Sequence, residues 1–443
     1  MIAPFDDPSR PHVVIVGGGF GGLYTAKALR KTSVNVTVVD QRNFHLFQPL
    51  LYQVATGALS PGEIASPLRA ILSSNRNTRV WMAKVTDIQP DTRQVILDDE
   101  EPLSYDTLVL ATGSRHHYFG NTNWEELAPG LKTVEDATEI RTRILRAFEC
   151  AEREKDPELR QEWLTFVIVG GGPTGLELAG ALGEIANDTL KRDFYDIDPA
   201  DSRIILLEAA DRVLNHMPPE LSRAAEESLI RLGVRPRTHA RVTNITPESV
   251  TIAIGDQVEI IRTRTVLWAA GVQASPLGKL LSVRVGAETD RAGRVIVQPD
   301  LSVPGHPEIL VIGDLANYSH QDSKPLPGVA PVAMQQGRYV AQLVRARLEG
   351  RTLPPFRYRD KGSLATIGRA EAVADFGKLR FSGFTAWVLW LFVHLMYLVE
   401  FQNRLLVLIE WAYNYITRNR GARLITGEAA AGPPQRSPEL RGA

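Results

Sequence analysis

The apolar residues of this chain fall into short β-branched runs, longer stretches of helical period and one uncharged segment near the end. Residues 13–16 form the first run and residues 34–39 the second, with a helical pattern over residues 24–29 between them. Continuous apolar runs of this length predict buried parallel strands. Alternation over residues 79–98 predicts further strands, and residues 108–110 another buried one, closed by Ala111, Thr112 and Gly113. A charged helical pattern covers residues 134–164. After it FVIVGGGPTGLELAGAL restates the opening unit, with residues 203–207 as its second strand. VLWAAG, residues 266–271, echoes residues 109–113, and EILVIGDLA carries one more strand to Gly313 and Asp314. Strands alternating with helices in this order predict an α/β fold.

The turns between these elements carry chemistry. Gly17, Gly19 and Gly22 stand in G-x-G-x-x-G spacing between a strand and a helix, and the next strand ends on Asp40. In that spacing the first glycine permits a tight turn, the second lets a pyrophosphate approach the main chain, and the third lets helix and strand pack closely; the acid accepts from a ribose hydroxyl. Gly170, Gly172 and Gly175 repeat the pattern 153 residues later, and the strand after them ends on Glu208. The longer gap to Glu208 is taken up by residues 187–201, which read as an insertion. A duplicated unit predicts two dinucleotide sites. Ala209 and Ala210 follow Glu208 where a 2′-phosphate would call for arginine, so the second site favours NADH over NADPH, with Arg212 as the one cation nearby. Asp314 reads either as a carboxylate for a ribityl hydroxyl or as a surface cap. The uncharged residues 44–59 read either as core or as a wall at the redox end of a cofactor.

Size, charge and cysteine content narrow the picture. A chain of 443 residues holds two to three domains. The net charge of −1 gives no pull toward nucleic acid, but it hides an asymmetry. From Arg345 onward 15 Lys and Arg face 8 Asp and Glu, a balance of +7 that leaves −8 for the rest. The single cysteine, Cys150, excludes a disulfide framework, a four-thiolate metal site, an iron–sulfur cluster and a redox-active cysteine pair within one chain. Cys150 itself reads as an incidental thiol. About a dozen residues, Asp6 and Asp7 among them, precede the first strand and match no targeting peptide.

Residues 381–399 carry no formal charge, a length at the threshold of a membrane span. Trp387, Trp390, His394 and Tyr397 recur at helical spacing there, and Phe401, Arg404, Leu408, Trp411 and Tyr415 continue the stripe. Tryptophan and tyrosine prefer the head-group level, so this face predicts a helix lying in the interface, with Arg418, Arg420 and Arg423 meeting anionic lipids. Packing of the stripe into a core or a dimer interface is the other reading. Residues 427–443, rich in Ala, Pro and Arg, are expected to be disordered.

GGGFGG, FQPLLYQVATG, GGGPTGLE, LWAAGV, VIGDLA and DKGSLATIGR together resemble the type II NADH dehydrogenases, NADH:quinone oxidoreductases among the two-dinucleotide-binding-domain flavoproteins. The resemblance spans residues 12–425. It implies two Rossmann-like domains of glutathione-reductase type plus a C-terminal helical membrane-associating region. The corresponding boundaries are an FAD domain at 10–120 and 301–350, an NADH domain at 121–300, and the membrane-associating region at 351–426. By resemblance FAD is held by Gly17, Gly19, Phe20, Gly22, Asp40, Arg42, Pro49, Val85, Ala111, Thr112, Gly113, Asp314 and Ala333, and NADH by Gly170, Gly172, Gly175, Glu208 and Gly271. Glu177 falls near the nicotinamide. Gln335, Gln336 and Lys361 fall near the flavin and a quinone pocket at the membrane surface. Where the family opens a helix with A-Q-x-x-x-Q, this chain has APVAMQQ, so Pro331 replaces the first glutamine, a change that a helix start accommodates.

A flavin can take hydride from a nicotinamide and pass electrons on, so the protein need supply only orientation and electrostatics. The expected function is non-proton-pumping NADH:quinone oxidoreduction on the cytoplasmic face of the cell membrane. The expected partners are NADH, a membrane quinone, the bilayer surface and a second copy of the chain, and no nucleic acid. The alternatives are a soluble NADH-dependent reductase of a small iron–sulfur protein and a non-catalytic redox-sensing scaffold.

Overall fold

Burial of the two β-branched runs on both faces explains why they pair in parallel: Val13–Val16 and Val36–Val39 lie within 4% of full burial. A computed structural model of the chain describes residues 7–399 and 401–426, and the tail expected to be disordered lies outside them. The described chain forms two compact α/β units.

In the first unit (residues 1–46, 65–117 and 272–361) six strands run in the order Ser302–Val303, His306–Val311, Thr107–Leu110, His12–Val16, Asn35–Asp40, Thr78–Met82. All pairs are parallel except at the Ser302 edge. The carboxyl ends of three adjacent strands therefore bring the first glycine turn, Asp40 and Ala111 to one rim of the sheet, where ligands of open α/β sheets bind. Helix Ala330–Leu348 packs along helix Phe20–Ala28. A Cβ on Gly337 would lie 2.5 Å from the Gly21 carbonyl oxygen, so the two helices approach backbone to backbone. The chain rejoins this unit at Val272, where Val272–Ala274 pairs antiparallel with Ser114–His116. That is earlier than the residue 301 read from the sequence, because so short a strand carries no hydrophobic period.

In the second unit (residues 47–64, 118–271 and 362–443) four parallel strands run in the order Val234–Arg237, Arg203–Leu207, Thr165–Val169, Thr265–Trp268. A three-stranded antiparallel sheet over residues 241–262 packs Ile245, Val250, Ile252 and Ile261 into the same core as Val167 and Trp268. The insertion before Glu208 is a π-helical turn at Ile185–Thr189 followed by loop and a short 3-10 turn. The last part of the unit is a three-stranded sheet, Ser363–Gly368, Glu371–Asp375 and Arg380–Ser382, then helices Phe384–Tyr397 and Phe401–Thr417.

This C-terminal part agrees with the expectation of helices that do not span a membrane and refines it in three ways. The uncharged segment begins as a strand at Phe381, and its helix has only 14 residues before Leu398 turns to extended backbone. Such a helix is ~21 Å long against a ~30 Å hydrocarbon core. Among the described residues no helix is long and apolar enough to cross a membrane. Second, the aromatic stripe faces protein. Trp390 is 2% exposed, its ring lies 5.6 Å from that of Trp411, and Trp387 lies 5.3 Å from Tyr415. The outward face is apolar and mixes phenylalanine with aliphatic side chains: Phe384, Val388, Phe392 and Met396 recur every fourth residue and are all exposed, as are Leu405, Ile409 and Ile416 on the next helix and, from the stripe itself, Leu408 and Tyr415. Both faces of these helices are apolar, so spacing alone could not say which turns outward. Third, the cations expected at lipid are paired. Arg420 bonds Glu184 at 2.7 Å, Arg418 bonds Asp188 at 2.8 Å, and Arg423 bonds Asp193.

Candidate functional site

The two glycine turns are built alike, atom for atom. In the first unit the amide of Gly18 donates to Asp40 Oδ2 at 2.5 Å and that of Arg42 to Oδ1 at 2.7 Å. In the second the amide of Gly171 donates to Glu208 Oε2 at 2.6 Å and that of Ala210 to Oε1 at 2.7 Å. Each strand-end carboxylate thus clamps the residue inside its own turn. Burial pushes the Asp40 carboxyl up, against the pull of its two backbone donors.

Sterics divide the glycines the same way in both turns. A Cβ on Gly22 would sit 1.8 Å from the Gly17 oxygen, and one on Gly175 1.8 Å from the Gly170 oxygen. Gly17 takes φ +107° and Gly170 φ +110°, values an L side chain rarely adopts. Gly19 and Gly172 instead face open space at the N-termini of helices Phe20–Ala28 and Pro173–Glu184, whose first N–H groups suit phosphate. These cradles fit FAD and NADH in shape and in donor chemistry.

Other candidates of the first unit gather at the same rim. Ser114 Oγ donates to Asp314 Oδ2 at 2.7 Å, and Thr112 Oγ1 and Ser275 Oγ bond at 2.5 Å. Gln336 is buried and its Oε1 accepts from the Gly313 amide at 2.7 Å, fixing the turn that presents Asp314. Gln335 is clamped at both ends by Arg359, Nε2 donating to its carbonyl at 2.9 Å and Oε1 accepting from its amide at 3.0 Å. Gln335 spends both ends of its amide on backbone and Gln336 its Oε1, so both act as braces. Ala333 lies beneath Gly313. Phe20 packs edge-on against His45, whose Nδ1–H donates to the Gly18 carbonyl at 2.9 Å. Val85 is buried in the small sheet Val85–Gln89, Gln94–Leu97, Pro102–Ser104, and Lys361 is exposed at the end of the unit. Pro49 and Gly271 belong to the second unit, Pro49 in a 3-10 turn and Gly271 at φ +71°. Arg212 donates to the Asn215 carbonyl at 2.9 Å and lies 3.8 Å from Asp211.

The second unit holds a cavity of about 120 Å³, well beyond the ~15 Å³ one water needs. Helix Pro173–Glu184 lines it with Glu177, Ala181 and Glu184, strand Ser363–Gly368 with Thr366 and Ile367, and the two C-terminal helices with Trp387, Trp390, Trp411, Asn414 and Tyr415. Tyr52, Gln53 and Ala58, from the uncharged residues 44–59, also line it, as do the charged Asp188, Arg369, Arg418 and Arg420; the segment 44–59 is largely core, with Leu50, Leu51 and Val54 buried. Glu177 is half-buried at the cavity wall, and loss of water around its carboxyl raises it well above the usual range despite a bond from the Thr366 amide, which favours the protonated form. Burial also raises the Tyr52 phenol. Gln53 donates to Tyr52 Oη at 2.9 Å and accepts from Trp411 Nε1 at 2.7 Å. The arrangement sets five aromatic side chains beside a raised carboxyl and a charged side that includes the Glu184–Arg420 pair. Tyr52 and Gln53 lie within FQPLLYQVATG and Thr366 within DKGSLATIGR, yet neither motif singled them out and Asn414 belonged to none; only the fold brings them to the cavity of Glu177.

Comparison with known proteins accords with this geometry. Residues 11–337 match the pyridine nucleotide-disulphide oxidoreductase family, and residues 361–419 match the NDH2 C-terminal domain. The chain is 44% identical to the type II NADH:quinone oxidoreductase Ndh of Mycobacterium tuberculosis over 96% of its own length and 92% of the relative's. It is 32% identical to the demethylphylloquinone reductase NdbB of Synechocystis, over 91% and 96% of the two chains. Among solved structures it superposes on NDH2 from Plasmodium falciparum in complex with NADH with a TM-score of 0.84, at 20% identity, covering 94% of this chain and 100% of that one.

Proposed function

The chain belongs to the type II NADH:quinone oxidoreductases, and we propose that its first unit seats FAD, its second unit seats NADH, and the cavity beside Glu177 receives the quinone head group. The enzyme is FAD-dependent, oxidises NADH and reduces quinone without pumping protons; the iron–sulfur-protein reductase and the scaffold readings give way to it. Bound FAD supplies the two-electron carrier between the substrates.

The chain's own residues do the rest. Asp40 and Glu208 hold their glycine turns and keep lone pairs for a ribose; the helix N-termini behind Gly19 and Gly172 hold pyrophosphate. Gln335 and Gln336 brace the Gly313 turn and the Arg359 backbone, and Lys361 adds positive charge. Glu177 holds a proton at the cavity wall, excludes charge from it and orients toward the acceptor through Thr366. The observation that carries this reading is that one cavity joins the Glu177 carboxyl, on the helix that follows the second glycine turn, to the inward aromatic face of the C-terminal helices. The decisive experiment is an anaerobic titration of purified protein: NADH should bleach the flavin absorbance and a quinone should restore it. A protein without a flavin spectrum, or one NADH does not bleach, refutes the reading.

The exposed apolar stripe is the lipid-facing surface, holding the protein peripherally on the cytoplasmic face, where NADH and membrane quinone meet. Burial of a large apolar side chain is worth about 2 kcal/mol, so the double variant Phe392→Asp, Met396→Asp should lower the fraction floating with phosphatidylglycerol vesicles by roughly tenfold or more. Flotation like that of the wild type, with dimerisation abolished instead, would give the stripe to a second copy of the chain.

A further inference from the structure

The two glycine turns differ in one donor. On the amide side of the middle glycine the holders correspond: Asp40 takes the Gly18 N–H and Glu208 takes the Gly171 N–H. On the carbonyl side they do not. Gly171 O accepts from the Leu214 amide at 2.8 Å, whereas Gly18 O accepts from His45 Nδ1 at 2.9 Å. Leu214 follows its acid by six residues and His45 by five, so an imidazole stands where the duplicate turn has a main-chain donor. The ring is fixed in that place. His45 is 1% exposed, lies in the strand Phe44–Leu46 opposite Ser66, and meets Phe20 with centroids 5.1 Å apart and planes at 88°. A carbonyl only accepts, so Nδ1 carries the hydrogen. Nε2 is enclosed without a partner among the described residues, so a second proton there would have no acceptor, and burial pushes the ring down to about 4.

Resting on the assignment of FAD to the first unit, we propose that His45 is a positioning residue for the flavin nucleotide, its Nδ1–H holding the Gly18–Gly19 peptide in the orientation that receives the pyrophosphate. A peptide is planar and trans, so an anchored Gly18 carbonyl also sets the direction of the Gly19 N–H, away from the imidazole. Gly18 is buried, and Gly19 is the exposed residue that opens helix Phe20–Ala28. Without the imidazole N–H the Gly18 carbonyl is left enclosed and unpaired. The peptide must then turn to find a partner, and the Gly19 N–H turns with it. NADH does not share this dependence, because no side-chain change removes the Leu214 amide that holds the corresponding carbonyl in its turn. One imidazole therefore separates retention of the resident nucleotide from binding of the exchanging one.

The test uses the full-length holoprotein. FAD retained per chain is read from absorbance after stepwise dilution and ultrafiltration, with far-ultraviolet circular dichroism reporting the fold. His45→Phe keeps a ring against Phe20 and removes the donor, and the smaller His45→Leu removes it too. His45→Asn gives up the ring but sets an N–H at the Nδ1 position. Phe and Leu should raise the FAD dissociation constant about tenfold, and Asn should stay within about threefold of the wild type. A side chain that merely fills space predicts the reverse order, with Phe retaining FAD better than Asn. With FAD supplied in excess, all three variants should keep the wild-type NADH KM. Gly19→Asp tests the seat itself. Its Cβ meets no atom within 4 Å, yet it brings a negative charge to the phosphate end and should strip FAD. If Gly19→Asp strips FAD while the folded Phe and Leu variants retain it like the wild type, or Asn loses it as they do, the role of His45 is overturned and the seat stands. An NADH KM that rises in step with FAD loss overturns it as well, because the damage is then not confined to the first turn. If folded Gly19→Asp retains FAD like the wild type, the flavin lies elsewhere and the proposal falls with that reading.

Discussion

Replacing Gly180 with alanine will lower the melting temperature by about 5–10 °C and depress quinone reduction more steeply than reduction of ferricyanide, a soluble acceptor that need not enter the cavity. The reason is a backbone contact. Gly180 lies in the helix that carries Glu177, and a Cβ there would stand 1.5 Å from the carbonyl oxygen of Ile367, on the strand that carries Thr366. No rotamer relieves a clash with backbone, so the helix and the strand must separate by an ångström or more. Overpacking of this kind destabilises by about 1–3 kcal/mol, and the lack of a movable partner puts this site at the upper end. Gly183 and Gly368 repeat the close approach, with Leu232 beside both, so the strain cannot be shed to the next turn. Two cavity walls are involved, which is why the acceptor suffers most. Gly62→Ala, where a Cβ meets no atom within 4 Å, serves as the control. Melting curves followed by flavin release, with both acceptors assayed on the same preparations, decide the matter; an alanine variant that melts with the wild type refutes the packing argument.

That contact also marks where the sequence stops being informative. The glycine turns were legible because their chemistry is local: a strand, a turn of fixed spacing and an acid at the next strand end occupy a few dozen residues, and backbone geometry dictates the residue types. Gly180 sits in the same legible segment, yet its need arises from Ile367, far along the chain. The C-terminal helices stayed ambiguous for a related reason. Their indoles and their other apolar side chains both recur at helical period, so spacing left both faces open; Trp411 turns inward, where Gln53 accepts its N–H. Arg418, Arg420 and Arg423 look like lipid contacts until the fold sets Asp188, Glu184 and Asp193 opposite them. A charge declares its sign in a sequence and its partner only in a structure.

Substituting glutamine for Glu177 will separate the two consequences of a buried proton. Burial holds the Glu177 carboxyl well above its usual range, so the folded protein keeps a proton that the unfolded chain releases near pH 4.3. A folded pKa above the unfolded one means that the native state binds more protons, and stability falls as pH rises through the window between the two values, by at most about 1.4 kcal/mol per pH unit. The wild type should therefore lose melting temperature across that window, whereas Glu177→Gln, which keeps the shape and the bond from Thr366 but cannot ionise, should not. The difference between them should open as pH rises and vanish in acid. Turnover moves the other way. Reduction of a quinone consumes protons, the carboxyl at the cavity wall can give one and the amide cannot, and quinone reduction should fall by about 10- to 100-fold, the scale of a lost general acid. Glu177→Asp, with a proton but a shorter reach, should recover part of the rate. Parallel pH–stability curves together with undiminished quinone turnover in Glu177→Gln would show that this carboxyl is neither neutral in the fold nor used by the reaction. Tyr52 bears on the outcome, because ionising Glu177 would set a negative charge beside a phenol already raised by burial. Burial raises both groups, and a charge on Glu177 would raise the Tyr52 phenol further, so Glu177→Gln should ease ionisation of Tyr52 as well.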